Sequence, residues 1–430
     1  MRDADARWLA SITVILGLTL LPGASYVASM RLVQGEWGLS NAQAGLVFSA
    51  YQFGYMLAVV VLLPLTDRRD PAMVVRAAAL CSVAGHALFA LTARGLPSGM
   101  AALALAGVGL GGVYMPGLRL VAERFAAAGR GRAVGLYVTA FYLGTSLSLA
   151  VTGAFLPLLG WRKAYLVMAG CSLIGVTLSR WISGGTRTAR PDGGAGRGNH
   201  AARVDGEPDS PNPSARAAPA PRATAAVLRN RPALLMIGGY VAHAWELYAV
   251  RGWFAPYLAA LLAAGGTSEV SATATGARLA AAVFGIGALG VPFGGALSDR
   301  FGRTGVAAVC LATSGACSLI IGWIGGVSWI LVAGVGVIYA LAISADSPVY
   351  STAVTELADP RHLGATMALQ ATLGFGAGFA APVAVGLVLD RAPSAARWGL
   401  GFGLAGAGAI LGLMSVLLAR RTGGPARGAS

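Results

Sequence analysis

Leu297-Ser298-Asp299-Arg300-Phe301 follows a long apolar run, and Leu65-Thr66-Asp67-Arg68-Arg69 follows another one 232 positions earlier. A second pair keeps nearly the same interval: Val121-Ala122-Glu123 and Val354-Thr355-Glu356 lie 233 apart. Two landmarks with almost equal offset mean that one design is used twice. The apolar runs are each close to the ~20 residues that cross a bilayer as a helix. Backbone polar groups in lipid must be satisfied within the chain, so such runs become a helix bundle. The fold class that follows is all-α integral membrane, with twelve transmembrane helices in two six-helix pseudo-repeats. Parallel repeats of this kind place a solute site between the halves, near the midplane.

The predicted spans are 8–30, 42–65, 72–93, 97–121, 132–155, 161–182, 232–263, 272–298, 304–324, 327–353, 363–389 and 396–419. They divide the chain into an N-terminal bundle (1–182), a linker (183–231) and a C-terminal bundle (232–430). The linker holds Pro191, Pro208, Pro211, Pro213, Pro219 and Pro221 amid Gly, Ala, Arg and Asp. Such a composition has no core to bury and is expected to be a disordered cytoplasmic segment. Arg2 and Arg7 ahead of an apolar stretch resemble a signal peptide, but the stretch is long for one, and an uncleaved first helix is expected.

Composition excludes several classes. Hydrophobic residues make up 56% and charged residues 11% of the chain, against about 25% charged in a soluble domain. The net charge of +15 could suggest nucleic acid, but its placement says otherwise. Arg31, Arg94, Arg162, Lys163, Arg278, Arg391 and Arg397 fall in outer loops or outer span ends, and Arg251 falls within a helix. The rest of the 32 Lys and Arg lie in inner loops, the linker and the tails. That asymmetry is a membrane-orientation signal that puts both termini in the cytoplasm of a multi-pass protein of the plasma or inner membrane. Lys163 is the only lysine, so no P-loop exists. His86, His200, His243 and His362 show no metal-ligand spacing, and no cofactor is expected. Gly107-Val108-Gly109-Leu110-Gly111-Gly112 lies within an apolar span, where close helix packing explains it better than a dinucleotide.

Gly295-Ala296-Leu297-Ser298-Asp299-Arg300-Phe301-Gly302-Arg303 resembles the G-x-L-x-D-R-x-G-R signature loop of the major facilitator superfamily. Ala122-Glu123-Arg124-Phe125 with Arg130-Gly131-Arg132-Ala133 is similar to that family's stretch after helix four. Gly160-Trp161-Arg162-Lys163-Ala164-Tyr165 is similar to its start of helix six. Here the C-terminal copy of the signature is nearly complete and the N-terminal copy is degenerate. The resemblance implies a secondary transporter whose helices one, four, seven and ten line the cavity. Helix four has no arginine at mid-depth, helix five no Gly-Pro, and helix two no arginine. The resemblance to the family's drug antiporters and nitrate carriers is weakened accordingly.

Ionisable residues within the membrane are costly and are functional candidates by default. Glu246 lies about 21 Å from the inner end of helix seven, three residues after His243, whose hydrogen bond to it is feasible. Tyr248 and Arg251 follow on the same helix. Asp346 lies in the inner half of helix ten beside Pro348, where a kink is expected. These five are the candidate substrate or proton pathway, with Glu246 as the proton carrier tuned by His243. Asp67, Arg68, Glu123, Arg132, Asp299, Arg300, Arg303 and Glu356 are the candidate inner gate, since acids at helix ends meet neighbouring arginines and helix dipoles. The function expected is secondary active transport of a small polar or anionic solute by alternating access, coupled to protons. A non-transporting receptor on the same fold, or a proton-driven drug efflux pump, is the alternative. No nucleophile or metal constellation points to an enzyme. The partners are a small-molecule substrate, protons and the lipid bilayer, with no nucleic acid and a monomeric state.

Overall fold

The computed structural model describes residues 3–65, 69–125, 127–180 and 226–422, and among them the chain is helical without strands. Asp67, Arg68 and the linker as far as residue 225 lie outside the described residues. Eleven helical stretches are long and apolar enough to cross a membrane. One of them, Arg132–Ser179, has 48 residues, about 72 Å of helix against a hydrocarbon core of roughly 30 Å. It belongs to α6 (Ala127–Ser179), which breaks at Gly160, where φ is 71°. That left-handed conformation is open to glycine at no steric cost. The chain turns back there, so α6 supplies the fifth and sixth of twelve crossings.

The first crossing is α1 (Asp3–Leu20) with α2 (Ser25–Trp37). Crossings two to four are α3 (Asn41–Leu65), α4 (Pro71–Thr92) and α5 (Leu96–Arg124). The C-terminal half follows with α7 (Arg231–Ala264), then α8 (Glu269–Gly287) with α9 (Gly290–Phe301). Crossing nine is α10 (Arg303–Ile321), and crossing ten is α11 (Trp329–Ala345) with α12 (Ser347–Leu357). The last two are α13 (Leu363–Arg391) and α14 (Arg397–Arg421). Large apolar side chains such as Val309, Ile330 and Leu411 point outward, as a lipid-facing surface requires.

Three crossings are interrupted. The first was expected to be one unbroken helix, but Pro22 removes a backbone donor and the chain makes tight turns, with Gly23 N bonded to Leu20 O at 2.9 Å. The freed groups are satisfied by crossing five: Ala24 N donates to Ser148 Oγ (3.0 Å), which donates to Leu21 O (2.5 Å). Ser25 and Thr152 hydroxyls meet at 2.8 Å. Crossing ten breaks at Asp346, just ahead of Pro348. Pro116 stands 232 positions before Pro348 but is accommodated inside α5 without a break. The repeat thus carries one kink device in two states of severity.

The glycine-rich stretch of α5 is a packing seam. A methyl group on Gly107 would overlap the Tyr51 carbonyl, and one on Gly54 would overlap the Ala104 carbonyl. Gly107→Ala is therefore expected to cost about 1–3 kcal/mol of stability through overpacking. Gly17→Ala, at a helical glycine with open space around it, should be neutral or slightly stabilising. Thermal unfolding of the two purified variants compares them directly, and equal melting temperatures would remove the seam.

The face that carries both chain ends is called inner here, following the arginine asymmetry. α3 runs along α13, and the fifth crossing runs along α8, where the halves meet. Towards the outer ends the halves are tied by polar contacts. Arg31 makes a two-pronged pair with Glu269 at 2.6 and 3.0 Å. Asp390 accepts from the Asn41 amide, the Asn41 side chain and the Ala42 amide at 2.8, 2.8 and 2.9 Å. Ser49 Oγ donates to Phe379 O at 2.6 Å. With the outer ends joined, the central cavity is lined as far inward as Leu118 and Ser351, and the conformation is closed at its outer ends.

Candidate functional site

The cavity between the halves has a volume of about 480 Å³, in the range of small-molecule sites. Helix α7 presents Tyr240, Ala244, Leu247, Tyr248 and Arg251 to it. Those positions follow from geometry: at 100° per residue they share one stripe of the helix. Arg251 is the charged group of the wall. Its guanidinium lies 5.4 Å from the ring centre of Tyr142, on the opposite half. Tyr142 in turn meets Ser347, Oη to Oγ, at 3.1 Å. No carboxylate lies within 4 Å of Arg251 among the described residues.

Glu246 is not on that wall. Five residues from Arg251, it is rotated by about 140° and is fully buried inside the C-terminal half. Its oxygens accept hydrogen bonds from Ser314 Oγ (2.7 Å) and Tyr339 Oη (2.9 Å). Ser318 Oγ meets Tyr339 Oη at 2.8 Å and donates to Phe402 O at 3.0 Å. This network joins crossings seven, nine, ten and twelve, and it gives the buried carboxylate donors in place of water. The feasible His243–Glu246 bond is not formed.

His243 instead faces Asp346. Its Nδ1 lies 2.9 Å from Asp346 Oδ1, close enough for an ion pair though without aligned hydrogen-bond geometry. His243 borders the cavity, and Asp346 sits behind it at the break of crossing ten. Tyr350 packs beside the imidazole with ring centres 5.6 Å apart. Thus the two buried acids of the C-terminal half differ in kind. Glu246 is held by hydroxyls within a helix interface, whereas Asp346 is one residue removed from the cavity through a titratable ring.

The gate candidates gather within halves. Arg303 pairs with Asp299, reaches Glu356 Oε1 at 3.0 Å, and donates to Ser298 Oγ at 2.7 Å. This clamp ties the loop after α9 to the inner end of α12. Arg300 lies over the Phe301 ring at 5.2 Å. Glu123 pairs with Arg119 at 2.7 Å, and Arg132 is exposed at the start of the fifth crossing. His86 is buried between the rings of Tyr51 and Tyr165. The N-terminal half contributes Tyr51, Tyr55, Tyr114 and Tyr142 to the wall. Tyr26 and Tyr137 spend their hydroxyls on backbone carbonyls of Ala44 and Val113. Tyr240, which is not among the sequence-based candidates, also joins the wall; its eight-residue interval from Tyr248 is the signal that places both on one stripe of the helix. No group of three or more potential metal ligands occurs among the described residues.

Residues 8–262 match the family described as Major Facilitator Superfamily. A curated relative, "Probable sulfoacetate transporter SauU" of Cupriavidus necator, is 27% identical over 150 residues, which is 33% of this chain and 33% of that one. The chain therefore matches only about a third of that relative's length. Among solved structures, a bacterial homolog of the human lysosomal transporter Spinster, in an inward-facing and unoccupied conformation, superposes with a TM-score of 0.75. It is 15% identical, with 98% of each chain covered. The nucleoside transporter NupG gives a TM-score of 0.71 at 12% identity, covering 96% of this chain and 99% of that one. At such identities the two structures speak for the fold.

Proposed function

The chain belongs to the major facilitator superfamily, and we propose that it carries a small polar or anionic solute across the cytoplasmic membrane by alternating access, driven by protons. The observation that carries this is Arg251, a cation on the wall of the central cavity with no carboxylate beside it. Arg251 is half-buried, and a charge drawn partly out of water with no carboxylate beside it favours an anionic solute that pairs with it. The form closed at its outer ends supplies one end of the transport cycle, and the break points in crossings one, eight and ten supply places where it can bend. Tyr248 and Arg251 hold the solute. His243 takes a proton from the cavity and exchanges it with Asp346, while Glu246 fixes the helices behind them. The clamp of Asp299, Arg303 and Glu356, with the counterpart loop of Asp67 and Arg68, biases closure of the inner side. The termini face the cytoplasm, and one chain suffices for the cycle.

The test is uptake by purified protein in proteoliposomes. Labelled organic anions should accumulate when the lumen is made alkaline, and collapse of the pH gradient should return uptake to the level of empty vesicles. Arg251→Gln should lower uptake at limiting solute by about tenfold or more, as expected when a charge-assisted contact is lost. Uptake that ignores the gradient in the native protein would remove the proton from the mechanism.

A further inference from the structure

The cavity wall restricts the solute beyond its sign. Arg251 and His243 are its basic groups, and among the described residues no aspartate, glutamate or lysine reaches it. Its amide is the single side chain of Gln52. Its hydroxyls are mostly phenolic, those of Tyr51, Tyr55, Tyr114, Tyr142, Tyr240 and Tyr248, so its polar tips are carried on aromatic rings. Arg251 is the one permanently charged group among the described residues of the wall, so a second permanent negative charge on the solute would have no fixed cation to meet it.

The rings are arranged in order. From Arg251 the wall runs to Tyr142, at 5.4 Å from guanidinium to ring centre. Tyr142 packs edge-on against Phe141 at 6.0 Å, and Phe141 lies 4.6 Å from Tyr114. On the facing side, Tyr55 and Phe375 pack at 5.2 Å, one from each half. The cavity is therefore polarised, with one cation at one end and a gallery of rings beyond it. Aromatic faces prefer offset or edge-on partners and reward flat apolar bodies.

We propose that the solute is an amphipathic monoanion, a single carboxylate or sulfonate carried on an aromatic body, with the acid at Arg251 and the ring between Phe141, Tyr114 and Phe375. The proposal rests on the transporter reading above and deepens it. The volume of about 480 Å³ accommodates a fused two-ring body with room to spare. Carboxylate and sulfonate each carry one negative charge and can offer two oxygens to the paired N–H groups of a guanidinium, so both belong to the class.

Calorimetric titration of the full-length protein in nanodiscs, with empty nanodiscs as the blank, tests this with six probes. They are acetate, succinate, benzoate, 2-naphthoate and the neutral 2-naphthalenemethanol, with 2-naphthalenesulfonate as the second acid. Affinity should rise by about tenfold from acetate to benzoate and again to 2-naphthoate, following buried ring area. The sulfonate should follow 2-naphthoate within about threefold, and succinate should bind no better than acetate. Arg251→Gln should lower 2-naphthoate affinity by at least tenfold, with partial rescue in Arg251→Lys. Phe141→Ala should weaken 2-naphthoate and leave acetate unchanged, and it keeps the test open if the arginine variants fail to fold. Acetate or succinate binding as tightly as 2-naphthoate, with dependence on Arg251 intact, would overturn the aromatic monoanion and leave anion transport standing. The neutral alcohol binding as tightly as 2-naphthoate, with no effect of Arg251→Gln, would overturn both.

Discussion

Asp346→Asn should reduce proton-driven accumulation of solute in proteoliposomes by about a hundredfold, while exchange of labelled for unlabelled solute persists. The substitution keeps the shape of the side chain and removes its ability to take a proton. Asp346 is fully buried, and its Oδ1 lies 2.9 Å from His243 Nδ1 at the cavity edge. In the proposed mechanism an acid in that place passes one proton to and from the imidazole, which borders the cavity. Solute exchange needs no net proton movement and so does not need the pair. Glu246→Gln supplies the contrast. Its amide oxygen still accepts one hydroxyl, and Ser314 or Tyr339 can rotate to accept from the amide nitrogen. Gradient-driven accumulation should survive there, with a loss of about 1–2 kcal/mol in stability from the disturbed network. Loss of accumulation in Glu246→Gln together with its retention in Asp346→Asn would reverse the assignment and return the proton to Glu246.

The second large effect is conformational. Asp390→Asn should shift the protein from the form closed at its outer ends towards outward-facing states by about 1–3 kcal/mol, a change of roughly 5–150-fold in the ratio. Asp390 ends α13 and accepts two backbone amides and one side-chain amide at the start of α3. A carboxylate at a helix N-terminus meets the positive end of the helix dipole and its unpaired N–H groups. Asparagine can accept at one atom only, and its amide opposes the donors it faces. Spin labels at Ser98 and Val327, exposed at the outer ends of opposite halves, report the change. Their separation should gain a longer component in the variant. Arg31→Gln, which breaks the pair with Glu269, should add to it. A distance distribution unchanged in the double variant would mean that these contacts accompany closure without setting it.

These outcomes turn on different levels of the molecule. Crossing number, the two-fold repeat and the family were written in the chain. Apolar run length is a one-dimensional quantity, and the intervals Asp67–Asp299 and Glu123–Glu356 are counted along the sequence. The kink at Asp346–Pro348 was legible for the same reason, since proline acts on its own backbone. So was the packing role of Gly107, because only the absence of a side chain admits a carbonyl there.

Other features depend on neighbours distant in the chain. Depth along helix seven put Glu246 at the middle of the membrane, but depth does not fix direction. The 100° step of the helix turns Glu246 away from Arg251, and only the positions of crossings nine and ten, with Ser314 and Tyr339, show what it faces. His243 takes Asp346 as its partner, 103 residues further on, because crossing ten breaks beside it. The interruption of crossing one at Pro22 is tolerated because Ser148 and Thr152 of crossing five complete its hydrogen bonds. The outer ties of Arg31 to Glu269 and of Asp390 to Asn41 unite opposite halves of the chain. The sequence by itself determined the helices, their number and their duplication, since those depend on local hydropathy and backbone chemistry. Which face each helix turns to the cavity, and which charge meets which, only the tertiary structure decided, because a buried ionisable group is defined by the partners that replace its water.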